Sequence, residues 1–148
     1  MGGKDVTWFD VGGGAMTNRQ SFSLETHPIH LGLGAVAIRE PEFTGADWFA
    51  AYEARHAADG AEGRLVSLYT FSAPWTSWEM HPAGAEVIVC VTGQITLLQE
   101  ADGQVRSVKL AAGEAAINPP GVWHTADVEA ACTALFITAG AGTQHRAR

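Results

Sequence analysis

From Glu62 onward the sequence is a succession of short β-prone runs cut at regular intervals by turn residues, and this limits the fold more than any other feature. The runs predicted as strands are Arg64–Ala73, Ser77–His81, Glu86–Thr92, Gln94–Glu100, Val105–Leu110, Glu114–Asn118, Val122–Val128 and Thr133–Ala139, with an earlier one over Leu33–Glu40. Asp102-Gly103 predicts a two-residue hairpin turn, because Gly tolerates the positive φ that such turns demand. No repeat with a solenoid or propeller period is present. So many short strands must hide their edges, and closure into a barrel or jelly roll does so. The expected class is all-β, a double-stranded β-helix (jelly roll) forming a single barrel domain over residues 24–140.

Two segments fall outside that pattern. Residues 1–23, with Gly12-Gly13-Gly14 and a polar stretch after it, read as an irregular N-terminal arm. Over about 45–58 the period changes to that of a helix: Thr44 and Asp47 suggest a capping box, Trp48, Phe49 and Tyr52 form a one-sided stripe, and Gly60 closes the element. The stripe is expected to pack against a sheet. Residues 141–148, ending His145-Arg146-Ala147-Arg148, are expected as a solvated C-terminal tail.

Composition narrows the partners. A net charge of −7 repels phosphate backbones and anionic lipid, so no nucleic acid and no membrane surface is expected. No apolar run is long enough for a membrane helix, the longest lying near Ala130–Thr138, and the N-terminus lacks the apolar core of a secretory signal. The two cysteines, Cys90 and Cys132, sit in apolar runs without a CxxC pairing, as expected of buried reduced thiols in a cytoplasmic protein.

Two stretches carry chemistry. Glu79 and His81 are two apart on a predicted strand and leave it on one face. Pro82-Ala83-Gly84 turns the chain, and Glu86 opens the next strand with its side chain able to return to that face. Pro119-Pro120-Gly121 forms another rigid turn and delivers His124. In a closed barrel these groups converge. Two imidazoles and a carboxylate suit Fe(II), with Mn, Ni and Zn also compatible.

At these residues the chain resembles the cupins. The family's first motif, G(X)5HXH(X)3-4E(X)6G, is matched by His81, Glu86 and Gly93; its second, G(X)5PXG(X)2H(X)3N, by Gly113, Pro119, Gly121 and His124. The resemblance implies a cupin jelly roll with His81, Glu86 and His124 as metal ligands, and a homodimer that uses the N-terminal arm. The chain departs from the pattern in three places. Glu79 replaces the first histidine of the HXH pair, Val128 replaces the final Asn, and the opening Gly is missing, with Ser72 and Ala73 near its place.

Only the first departure changes the chemistry. As a ligand, Glu79 would join Glu86 in neutralising a hard divalent cation. Without metal, two carboxylates in one low-dielectric lumen would raise one pKa and leave a general acid or base. The third alternative is a side chain facing solvent at the barrel mouth. Trp75, Trp78 and Trp123 flank the motifs, where they either stack on a substrate or pack on the sheet. Ile88 and Cys90 share a face with Glu86 and, with Trp75, are candidates to line a substrate pocket; His27, His30, His56 and His145 are expected at the surface. The resulting expectation is a metal-dependent enzyme of dioxygenase or isomerase type acting on a small molecule. The alternatives are a non-catalytic ligand- or metal-binding module, and a metal-free acid–base enzyme using Glu79 and Glu86.

Overall fold

The computed structural model describes residues 20–148. The N-terminal arm expected over residues 1–23 lies outside the described residues except for its last four. The described chain forms two antiparallel sheets. The strands are β1 (Ile29–Gly32), β2 (Val36–Arg39), β3 (Arg64–Phe71), β4 (Ser77–Met80), β5 (Glu86–Thr92), β6 (Gln94–Ala101), β7 (Gln104–Ala111), β8 (Ala115–Asn118), β9 (Trp123–Asp127), β10 (Cys132–Thr138) and β11 (Gln144–Ala147). One sheet has the order β2-β1-β3-β10-β5-β8 and the other β11-β4-β9-β6-β7. From β3 onward the chain passes from one sheet to the other at every connection except the β6–β7 hairpin, as in a jelly roll.

The core follows from strand alternation. Ile88, Cys90, Ile95, Leu97, Ala126, Ala134 and Phe136 point inward and pack between the sheets at or near zero exposure. The turn predicted at Asp102-Gly103 is there, both residues having positive φ, and it sets Ala101 opposite Gln104. Gly93 ends β5 at φ 75°, and a Cβ there would stand 2.3 Å from the Ala131 carbonyl oxygen. Both the conformation and the close approach call for glycine.

Several expectations need correction. Leu33–Glu40 is not one strand: the chain reverses at Gly34 and Ala35, both at positive φ, so that β1 and β2 form a hairpin with Gly32 opposite Val36. The helix α1 spans Ala46–Arg55, and its N-cap is Gly45 at φ 113°, without a side-chain cap, so Thr44 does not cap it. Of the expected stripe, α1 buries Trp48 and Tyr52 against Leu65 of β3, while Phe49 stays exposed.

His30 and His56 are not surface residues. His30 is 1% exposed, with Nδ1 2.7 Å from the Tyr52 hydroxyl and Nε2 2.6 Å from Asp59 Oδ2. His56 stacks on His30 at 3.6 Å and meets Glu40, which also binds Arg55. This polar network ties α1 and the turn after it to β1. His30 Nδ1, His30 Nε2 and His56 Nε2 are held by Tyr52, Asp59 and Glu40 in turn. His27 is half-buried. The C-terminal residues are solvent-exposed but not a free tail: Gln144–Ala147 pair with β4 in register, Gln144 opposite Met80 and Ala147 opposite Ser77. No helix among the described residues is long and apolar enough to cross a membrane.

Candidate metal centre

The predicted residues come from both sheets and meet at one end of the barrel. Glu79 lies on β4, His81 just after it, Glu86 at the start of β5 and His124 on β9. Glu79 is opposite His124 across the β4–β9 pairing, and Glu86 is opposite Asn118 across β5–β8. The turns at residues 82–85 and 119–122 thus return side chains of distant sequence to one lumen. His81, Glu86 and His124 are 5%, 3% and 0% exposed. Glu79, His81 and His124 each offer one ligand atom, and these atoms lie within 4.8 Å of one another.

The two sheets close into a jelly roll of the kind that the resemblance to the cupins implies. The two motif blocks fall on β4–β5 and β8–β9, and Val128, in place of the final Asn, is buried in the core. No family model matches the sequence and no curated protein matches it. Among solved structures, a cupin-2 domain containing protein of Shewanella frigidimarina is 23% identical over 51% of this chain and 69% of its own, with a TM-score of 0.44. A protein of Neisseria meningitidis is 26% identical over 50% of this chain and 71% of its own, at 0.44. Oxalate oxidase in complex with the substrate analogue glycolate is 15% identical over 55% of this chain and 45% of its own, at 0.47. Each likeness covers about half of this chain.

Both imidazoles of the cluster are oriented by hydrogen bonds. His124 Nδ1 donates to the Val122 carbonyl at 3.1 Å. The Thr143 hydroxyl donates to the Gly140 carbonyl at 2.7 Å, so at 2.8 Å it accepts from His81 Nδ1. In each neutral ring the Nε2 lone pair is then free, and both Nε2 atoms are buried with no hydrogen-bond partner. Glu86 stands between them, Oε1 3.3 Å from His81 Nε2 and Oε2 3.1 Å from His124 Nε2, contacts of ion-pair length without hydrogen-bond geometry.

The carboxylate of Glu86 is itself fixed. Asn118 Nδ2 donates to Oε2 at 3.1 Å and the Thr138 hydroxyl to Oε1 at 2.7 Å, while Gln99 holds Asn118 Oδ1 at 2.7 Å. Burial pushes the Glu86 pKa upward, but contact with His124 and His81 outweighs burial and holds it well below the usual carboxylate range. Burial likewise opposes the His124 cation, yet Glu86, the Val122 carbonyl and the charge of Glu79 leave its pKa raised.

A cavity of about 770 Å³ opens beside the centre and includes Glu79, His81 and Glu86 in its wall. Its other walls are largely aromatic, from Phe43 and Phe49 near α1 to Tyr69, Phe71, Trp75 and Phe136 on the sheets and their loops. Among the described residues no Lys or Arg lines it, whereas Glu53, Glu79 and Glu86 do.

Trp75 lines the cavity as predicted, but Ile88 and Cys90 do not. They face inward beyond Glu86 on β5 and fill the solid core, where the Cys90 thiol donates to the Gly93 carbonyl at 3.4 Å. Trp78 and Trp123 face elsewhere and enclose the Arg146 guanidinium, 5.2 and 4.5 Å from their ring centroids. Sequence reasoning missed Thr143, Thr138 and Asn118, whose hydrogen bonds orient His81 and Glu86. Only Asn118, next to Pro119, sat close enough to a motif to draw notice.

Proposed function

We propose that this chain is a divalent-metal-dependent enzyme of dioxygenase or isomerase type, with His81, His124, Glu79 and Glu86 holding the cation, and that it acts on a small, uncharged, ring-bearing molecule. The observation that carries this reading is the pair of buried, unpartnered Nε2 atoms held beside two carboxylates. Leaving a buried polar atom unsatisfied costs about 1–3 kcal/mol, and one cation satisfies both. The donor set of imidazole nitrogen and carboxylate oxygen suits Fe(II) and Mn(II), and also Ni and Zn.

When bound, the cation supplies Lewis acidity or a redox couple beside the cavity. The chain supplies orientation and selection. Val122 and Thr143 fix the imidazoles, and Asn118 and Thr138 fix Glu86. The aromatic wall takes up a flat ring and excludes water from it. A wall that carries Glu53 and no Lys or Arg among the described residues offers a carboxylate or phosphate ligand no cationic side-chain partner beyond the histidines and the cation itself.

Elemental analysis of protein purified without added metal tests the centre. Stoichiometric Fe or Mn that is lost in His81→Ala and His124→Ala is expected, and absence of metal together with no uptake of Fe(II) or Mn(II) overturns the reading. Quenching of tryptophan fluorescence tests the cavity: neutral phenols and indole should bind, and preferential binding of oxalate or phenyl phosphate would refute the substrate class. Leu31, Leu33, Val36 and Ile38 are exposed on or beside the β1–β2 hairpin, which supports the proposal of a homodimer. Sedimentation of the full chain as a monomer would overturn that proposal.

A further inference from the structure

Glu79 stands where the cupin pattern carries an imidazole, and the fold returns an imidazole to the same place from the far end of the chain. β11 runs antiparallel to β4 with His145 directly opposite Glu79. His145 Nε2–H donates to Glu79 Oε1 at 3.1 Å. The other oxygen, Oε2, lies 3.9 Å from His81 Nε2. One carboxylate oxygen is thus held by His145, at the cavity wall, and the other is left toward His81.

We propose that His145 is a positioning residue of the metal centre, which fixes the Glu79 carboxylate so that Oε2 faces the cation. The inference rests on the proposed reading of the cluster as a cation site. A hydrogen bond from a half-exposed histidine on a frayed end would organise little, but this end is anchored. Arg146, the next residue, lies over Trp78 and Trp123 and pairs with Glu100. Arg148 donates to the carbonyls of Trp75 and Ala126 at 3.2 and 3.1 Å and pairs with Asp127. Thr143, two residues before His145, accepts from His81 Nδ1. A single C-terminal segment therefore orients two of the candidate ligands, Glu79 through His145 and His81 through Thr143. Groups that orient ligands in this way change metal affinity by about 10–100-fold when removed.

The test uses the full chain, stripped with chelator and titrated with Mn(II) by calorimetry, alongside the melting temperature of the metal-free protein. His145→Ala is expected to bind Mn(II) about 10-fold more weakly than wild type with an unchanged metal-free melting temperature. His145→Gln, which keeps an N–H donor, is expected to recover most of the loss. Wild-type affinity in His145→Ala overturns the positioning role while leaving the cation site standing. An equal loss in both variants, or a loss accompanied by a lowered metal-free melting temperature, shows a packing role and also overturns it. Wild type that takes up no Mn(II) removes the cation reading and this role with it.

Discussion

Replacing Glu86 with Gln keeps the shape of a side chain that is 3% exposed and removes its charge. In the wild type, Asn118 and Thr138 donate to an ionised carboxylate and His124 contacts it at 3.1 Å. Gln can keep both hydrogen bonds if the Thr138 hydroxyl rotates to accept from the amide, so the loss is the difference between charge-assisted and neutral bonds. At roughly 1 kcal/mol for each bond, the metal-free protein should lose about 2 kcal/mol near pH 6.

The pH dependence makes this prediction specific. The folded pKa of Glu86 is depressed, so its contribution is present above the unfolded value of about 4.3 and is lost as pH falls through the folded value. The folded pKa of His124 is raised, so its share is full below about 6.5 and is lost as pH rises through the folded value. The gap between wild type and Glu86→Gln should therefore be widest between those limits and should close toward both acid and alkaline pH. Urea unfolding of the metal-free proteins across pH 3–9 measures it. A gap of equal size at every pH, or no gap near pH 6, would refute the assignment of Glu86 as the ionised partner of the imidazoles.

Metal binding should release a proton from His124, because only the neutral ring can ligate. Mn(II) affinity is expected to rise with pH and to level off above the raised His124 value, and calorimetry in buffers of different ionisation enthalpy would show no proton release if the reasoning fails. Cys90 and Cys132 are buried free thiols with sulfurs 3.9 Å apart. Burial, with Cys90 beside it, pushes the Cys132 thiol up to about 11, so native protein should resist maleimide at pH 8. Stability should also fall as pH rises from about 8.5, the ordinary thiol value, through about 11; rapid native labelling or a flat alkaline limb would contradict this.

Most strands after Glu62 were legible within a residue or two, because alternation and turn residues are local signals. Glu86–Thr92 spans the predicted residues, and the hairpin at Asp102-Gly103 needs only its own backbone preference. The convergence of His81, Glu86 and His124 was also legible, since motif spacing fixes which strand positions face inward once the sheet closes. The β1–β2 hairpin was not, because of the two residues that reverse the chain only Gly34 is a turn former, while Ala35 at positive φ has no turn signature of its own. Ile88 and Cys90 share the inward face with Glu86, as the period requires, but period alone does not say where cavity gives way to packed core.

The sequence by itself determined the fold class and the inward-facing residues proposed as ligands, because strand period and turn chemistry are properties of neighbouring residues. Only the tertiary structure decided what surrounds those ligands. It buried His30 beneath α1, lined the cavity with Phe43 and Phe49 from residues far from either motif, and paired the last strand with β4 so that His145 meets Glu79. These are contacts between segments far apart in sequence, set by how sheets and helix close on one another, and no local pattern encodes them.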